Sequence, residues 1–285
     1  MAGLLSGLGA LGLKNLESMD LYEEEKKEAV LAKDSGKTPV IQEADYLFDK
    51  TYECPVCYGQ IKARTMKVGK AKLSHTDLDL RPVYENIEPL KYDVISCPHC
   101  GYSTLTRYFG GLTSSQSKAI KENISRAFKP ANEKKDTYTY EEAVGRYKLC
   151  LANAIVKHAK ASEKAYICLK AGWLIRSMRE NCEKAGETSA KEIEEIKAQE
   201  NEFLQNALEG FVAARQAEGY PMCGMDETTV DYLIAALSME FEQYDVASKM
   251  ISSILTSPAA TNRMKDKARD LKEVLLERIK EKKTN

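Results

Sequence analysis

The sequence predicts an α+β protein, a small β module of zinc-ribbon type followed by an all-α, tetratricopeptide-like domain of about seven helices. Three observations predict it. Two Cys-x-x-Cys pairs, Cys54-Pro55-Val56-Cys57 and Cys97-Pro98-His99-Cys100, sit among short stretches of alternating pattern. Beyond Gly110-Gly111 the apolar residues recur at helical spacing. Gly and Pro then cut the remainder into segments of helical length.

Composition bounds the class of protein. The chain has 285 residues, 43% hydrophobic and 30% charged, which suits a globular protein of about two domains. Its 42 Lys and Arg balance 43 Asp and Glu, so no whole-molecule field favours nucleic acid or an anionic membrane. Such a partner needs a local patch. No apolar run approaches the roughly 20 residues that span a bilayer, and the N-terminus lacks the basic-then-apolar order of a signal peptide. Four of the eight cysteines form the two pairs. Cys150, Cys168, Cys182 and Cys223 stand singly in helical segments, a pattern that suits a reducing compartment. The expected location is the cytoplasm.

Residues 1–21 carry Leu4, Leu8 and Leu11 on one helical face, among Gly3, Gly7, Gly9 and Gly12, which oppose a free-standing helix. Two readings stand for this peptide: it packs on its own domain or frays, or it docks on a partner. Residues 22–44 are charged, contain Gly36-Lys37-Thr38-Pro39, and read as a linker. Residues 45–111 form the metal module. Tyr46, Phe48 and Tyr52 alternate before the first Cys pair, and Tyr92-Asp93-Val94-Ile95-Ser96 leads into the second, so a strand is expected to feed each.

The spacing of the cysteines has a chemical reason. Two residues between thiolates form a tight turn that aims both sulfurs and several backbone N–H groups at one cation, and two such turns complete a tetrahedral S₄ site. Cys54, Cys57, Cys97 and Cys100 are the expected ligands of a structural Zn²⁺, since four protein ligands leave no open position. The rival is a rubredoxin-like Fe site, because Cys97-Pro98-His99-Cys100-Gly101-Tyr102 is a knuckle of that kind. Against it, the first knuckle continues Tyr58-Gly59 instead of Gly-Tyr. His99 is expected at a solvent-facing tip, and His75 is a weaker alternative ligand.

Between the knuckles, Lys62, Arg64, Lys67, Lys70 and Lys72 occur with no acidic residue from Cys54 to Ser74. This is either a solvated hairpin or a phosphate-contacting face for nucleic acid. No aromatic residue interleaves the basic ones to stack on bases. Further on, Asp77 and Asp79 would point the same way on a strand, which allows a hard-cation or acid–base pair. A buried network with Arg81, Tyr84 and Tyr92 that fixes the ribbon on the helices serves as well. No nucleophile arrangement and no phosphate-cradling loop accompanies the two Asp.

Residues 112–285 read as helical. Thr113-Ser114-Ser115-Gln116 and Thr139-Tyr140-Glu141-Glu142 are capping boxes, opening helices to about residues 128 and 158. Further helices are expected at about 162–184, 190–218, 228–241, 245–256 and 261–281, with Gly186, Gly219, Pro221 and Pro258 as stops. Ala235 and Ala247 fall where a tetratricopeptide repeat needs small residues, and Gly172 is a candidate close contact in an earlier unit. The charged stretch 184–202 would lengthen or interrupt that unit. An irregular helical bundle is the alternative. Trp173 reads as core.

The residues Asp77-Leu78-Asp79-Leu80-Arg81-Pro82, Tyr84, Pro89-Leu90, Tyr92-Asp93-Val94 and Cys97-Pro98-His99-Cys100-Gly101-Tyr102 together resemble an uncharacterised bacterial family of unknown function, of Firmicutes type. Glu88 and Ile95-Ser96 depart from its pattern, where Asn and an aromatic residue are expected. The resemblance implies a Cys-x-x-Cys ribbon-like front, a tetratricopeptide-like back and a metal-binding scaffold, and it implies no reaction. The function expected is a non-enzymatic adaptor that binds a protein or peptide through its helices. Nucleic-acid binding through the basic 62–72 face and iron redox chemistry are the alternatives.

Overall fold

The computed structural model describes residues 42–129 and 135–284. The chain divides into two units, Met1–Gln42 and Glu43–Asn285, and apart from Gln42 the described residues belong to the second. The leading peptide 1–21 and the linker up to residue 41 lie outside the described residues.

The fold is α+β in the predicted order: six short strands, then seven α-helices among the described residues. The strands pair as three antiparallel ribbons. Strand β1 (Leu47–Glu53) pairs β2 (Gln60–Met66) from Leu47↔Met66 to Glu53↔Gln60. Strand β3 (Leu73–Thr76) pairs β4 (Pro82–Tyr84), and β5 (Val94–Ser96) pairs β6 (Ser103–Leu105). An isolated two-stranded ribbon is marginal in water, so each of these depends on what it packs against. The Cys pairs occupy the tips of the first and third ribbons, which places the four cysteines at the junction of two hairpins.

Helix α1 (Ser114–Ile120) runs on through a π turn at Lys121–Ser125, and α2 spans Tyr140–Val156. Both open on the predicted capping boxes, with the Thr113 and Thr139 hydroxyls accepting from the Gln116 and Glu142 amides. Helices α3 (Ala161–Ala185) and α4 (Ala190–Ala217) form a long hairpin. Gly186 ends α3 in the left-handed region at φ 69°, and Ser189 with Glu192 caps α4. Small residues bring the pair close: a Cβ on Gly172 would lie 2.5 Å from Leu204 Cδ2, and one on Gly210 would lie 2.8 Å from Ala165 Cβ. The charged stretch 184–202 runs from the last two residues of α3 through the connection into about the first three and a half turns of α4.

Helix α5 (Glu227–Glu240) is apolar on most of its circumference and is buried accordingly. Val230, Leu233, Ile234 and Leu237 pack into the core made by α2, α3 and α4. Tyr232, Ala235, Ala236 and Met239 face a second core, shared with α6 (Tyr244–Thr256) and α7 (Asn262–Thr284). Ala235 and Ala247 are fully buried there. Leu80, from the β3–β4 loop, packs against both cores.

Helix α2 carries the third ribbon. Arg146 Nη1 donates to the Val94 carbonyl at 3.2 Å, Tyr147 Oη to the Leu90 carbonyl at 3.2 Å, and Asn153 Nδ2 to the Gly101 carbonyl at 3.0 Å. These bonds give ribbon backbone groups partners from the helical core.

Candidate metal centre

The two knuckles repeat one backbone pattern. In the first, Cys54 N–H donates to the Gly59 carbonyl and Tyr58 N–H to the Cys54 carbonyl; in the second, Cys97 N–H donates to Tyr102 and Gly101 N–H to Cys97. Residue Tyr58 at φ 60° therefore stands where the second knuckle has Gly101 at φ 72°. A Cβ at Gly101 would also meet Phe128 at 2.6 Å, so this glycine is needed both for its φ and for space.

All four sulfurs lie within 4.8 Å of one another. The closest approaches cross between knuckles: Cys54 Sγ to Cys100 Sγ and Cys57 Sγ to Cys97 Sγ are both 3.6 Å. A tetrahedron with metal–sulfur bonds of about 2.3 Å has edges of about 3.8 Å, so the donor set fits one cation. Its chemistry, four thiols and no carboxylate, fits zinc or iron and not a hard oxygen-seeking ion. Cys54, Cys97 and Cys100 are buried in a cluster with Val56, Ile61, Ile95 and Ile120, and Cys57 closes the more open side.

The crowded sulfurs share protons unevenly. Hydrogen bonds from Cys100 and then Cys97, helped by the Cys57 and Val56 amides, hold Cys54 down to about 2. The same contact with Cys54 pushes Cys100 far above the ordinary thiol range. Cys97 is drawn down by Cys100 but pushed up by Cys54 and by burial, ending at about 12. A divalent cation would take the place of those protons. His99 and His75 are exposed, and neither belongs to the cluster; His75 lies 3.4 Å from Asp77.

Asp77, Asp79 and Arg81 come together, but not on a strand. They occupy the β3–β4 loop, where Asp77 N–H donates to the Arg81 carbonyl and Leu80 takes φ 68°. The strand expected for the two Asp is corrected to this turn, which aims both carboxylates at α3. Asp79 Oδ2 accepts from Trp173 Nε1 and from Arg176 Nη1, each at 2.9 Å. Arg81 gives Nε to Asp77 at 2.6 Å, Nη1 to Ser177 at 3.0 Å, and Nη2 to both oxygens of Glu180. Arg176 and Arg179 then clamp Glu200 of α4, each at 2.9 Å, and Glu200 is fully buried. Those arginines hold its carboxyl below the usual range although burial acts the other way.

Tyr84 and Tyr92 stand apart from that network. Tyr92 Oη donates to Glu43 at 2.7 Å and accepts from Tyr138 N–H, and both tyrosines pack around Tyr46, Leu47 and Ile87. In the basic stretch, Arg64 bonds Asp49 and the Asp136 carbonyl, Lys67 bonds the Asp45 carbonyl, and Lys72 pairs with Glu85. Lys62 and Lys70 are exposed.

Sequence reasoning missed Arg176, Ser177, Glu180 and Glu200. The first three share one face of α3 with Trp173 at i, i+3, i+4 and i+7, which was the available signal. For Glu200, the signal was its place in the stripe Ile193, Ile196, Glu200, Phe203, Leu204 and Ala207, where a charge on an apolar face needs buried partners.

No helix among the described residues is long and apolar enough to cross a membrane. No curated protein and no solved structure matches the chain. Residues 47–275 match the model of a family described as "Uncharacterized protein conserved in bacteria (DUF2225)", and the chain belongs to that family.

Proposed function

We propose that the protein is a non-enzymatic scaffold in which Cys54, Cys57, Cys97 and Cys100 hold one structural Zn²⁺ and the helices bind a protein or peptide. The observation that carries this reading is the cross-knuckle arrangement of the sulfurs, each 3.6 Å contact joining one hairpin to the other. When bound, the ion supplies a cross-link between residues 54–57 and 97–100. The chain's own residues extend that link: Ile120 at the end of α1, Ile124 in the π turn and Val156 of α2 pack on the cysteine cluster.

The helical half supports the adaptor part. Its successive helices pack on one another, with Gly172 at a close approach and Ala235 and Ala247 fully buried, in keeping with a tetratricopeptide-like array. A cytoplasmic location belongs to the same reading, supported by four further cysteines that stay free. The nucleic-acid reading draws no comparable support, because Arg64 and Lys72 already pair within the chain.

Elemental analysis of chelator-free full-length protein, combined with tagged purification from the native host and reciprocal tagging of whatever is captured, tests the proposal. Stoichiometric zinc with one partner that recaptures this chain supports it. A red iron protein that cycles reversibly overturns the structural-zinc part. Salt-dependent retention of single-stranded RNA, lost on Lys62→Ala with Lys70→Ala, overturns the adaptor part.

A further inference from the structure

Away from the cysteines, a cleft of about 510 Å³ opens where the 3-10 turn Glu43–Tyr46, the β4 end, the start of α2 and one face of α3 converge. Its walls are polar, and the charged groups in them, apart from the exposed Lys184 at the rim, are held in ion pairs or hydrogen bonds. Lys91 Nζ, nearly buried, pairs with Glu43 at 2.6 Å and lies 5.1 Å from the centre of the Tyr140 ring. Both Glu180 oxygens accept from the Arg81 guanidinium. Glu88 accepts from the Ser177 hydroxyl at 2.6 Å and from the Leu90 amide at 3.1 Å, and burial raises its carboxyl above the usual range.

This arrangement selects for a chemical class. An ionic ligand seated deeper than the Lys184 rim would have to break one of these pairs, and separating a partly buried pair costs more than a new contact returns. A neutral ligand rich in hydroxyls needs no such exchange. Each hydroxyl both donates and accepts, so it adds to the spare lone pairs of the fixed carboxylates and to the Lys91 ammonium as charge-assisted hydrogen bonds. Tyr84 and Tyr140 add aromatic surface for the C–H face of a ring. We propose that this cleft binds a neutral polyhydroxylated ligand, a sugar or polyol, between the Glu43–Lys91 and Arg81–Glu180 pairs.

The test uses full-length, metal-loaded protein and saturation-transfer NMR. The probes are D-glucose, D-galactose, D-mannose, D-ribose, N-acetylglucosamine and myo-inositol, with glycine, glutamate and inorganic phosphate as charged competitors. Each is present at about 10 mM, above the millimolar dissociation constants that ligands of this size reach. The expected result is transfer to at least one neutral probe, none to glycine or glutamate, and no loss of the neutral signal on adding phosphate. Asn181, exposed at the cleft rim and outside the ion pairs, supplies the variant. Asn181→Trp fills the mouth and is expected to abolish transfer while the thermal midpoint stays unchanged. Transfer that survives this variant, transfer to glutamate or glycine instead, loss of the neutral probe's signal on adding phosphate, or silence from every neutral probe overturns the proposal.

Discussion

The indole N–H of Trp173 donates to Oδ2 of Asp79 at 2.9 Å, fixing the β3–β4 loop to the middle of α3. The same carboxylate oxygen takes Arg176, and Arg176 reaches on to Glu200, so one aspartate links the β front to both helices of the long hairpin. Asp79→Ala leaves a buried indole N–H and part of a guanidinium without an acceptor. The expected cost is about 3 kcal/mol, read as a shift in the urea midpoint with an unchanged slope. Asp79→Asn retains an oxygen for Trp173 and should cost visibly less. Equal losses in the two variants would mean that the charge on Asp79, and not the indole bond, decides its contribution.

Glu200 and Glu88 should give opposite pH signatures. The folded pKa of Glu200 is depressed, so its stabilisation is present above the unfolded carboxylate value of about 4.3 and is lost as pH falls through the folded one. The gap between wild type and Glu200→Gln is therefore widest at neutral pH and narrows in acid. Glu88 is raised by burial, against the pull of Ser177 and Leu90. Its ionised form is disfavoured in the fold, so Glu88→Gln gains on wild type as pH rises above about 4.3. Denaturant midpoints from pH 3 to pH 7 check both signs, and parallel curves for the two variants would refute the assignment.

The elements legible in the sequence were those set by local chemistry. Thr113 with Gln116 and Thr139 with Glu142 marked helix starts because both halves of a capping box lie within four residues. The Cys-x-x-Cys spacing likewise carried its own turn. What stayed illegible depends on distant partners. Nothing near Asp79 announces Trp173, and the two Asp read as a strand pair because their i, i+2 spacing does not reveal a left-handed Leu80. Residues Tyr84 and Tyr92 were grouped with Arg81 by proximity in sequence, whereas the fold sends Tyr92 to Glu43.

Three glycines offer matched tests of helix packing. Gly145→Ala, on an exposed position of α2 with open space around the new methyl, should stabilise by about 0.5–1 kcal/mol through backbone entropy. Gly210→Ala gains the same entropy but drives its Cβ to 2.8 Å from Ala165 Cβ and 3.3 Å from Ala165 Cα. Backbone cannot step aside, so α3 and α4 must separate, and a net loss of about 1–2 kcal/mol is expected. Gly172→Ala meets the fully buried Leu204 side chain and should fall on the same side. Thermal midpoints that rise in all three variants would show that the hairpin is looser than its geometry indicates.

Metal removal should loosen the two hairpins unequally. The second knuckle is tied to α2 through Asn153, whose Nδ2 reaches the Gly101 carbonyl, and its strands are braced by Arg146 at Val94. The tip of the first hairpin leans on the cysteine cluster itself, through Val56 and Ile61. Because the free energy of binding a structural metal is largely folding free energy, chelation withdraws support where no other tie exists. Hydrogen exchange on chelated full-length protein should show residues 54–61 losing protection by a larger factor than residues 97–105, with α3 and α4 unchanged. Cys57→Ser should reproduce this pattern and abolish stoichiometric zinc. Asn153→Ala should shrink the asymmetry, because only the Arg146–Val94 bond then braces the second hairpin independently of the metal. Equal loss in the two hairpins of the wild type would show that the Asn153 bond does not hold its knuckle once the ion is gone.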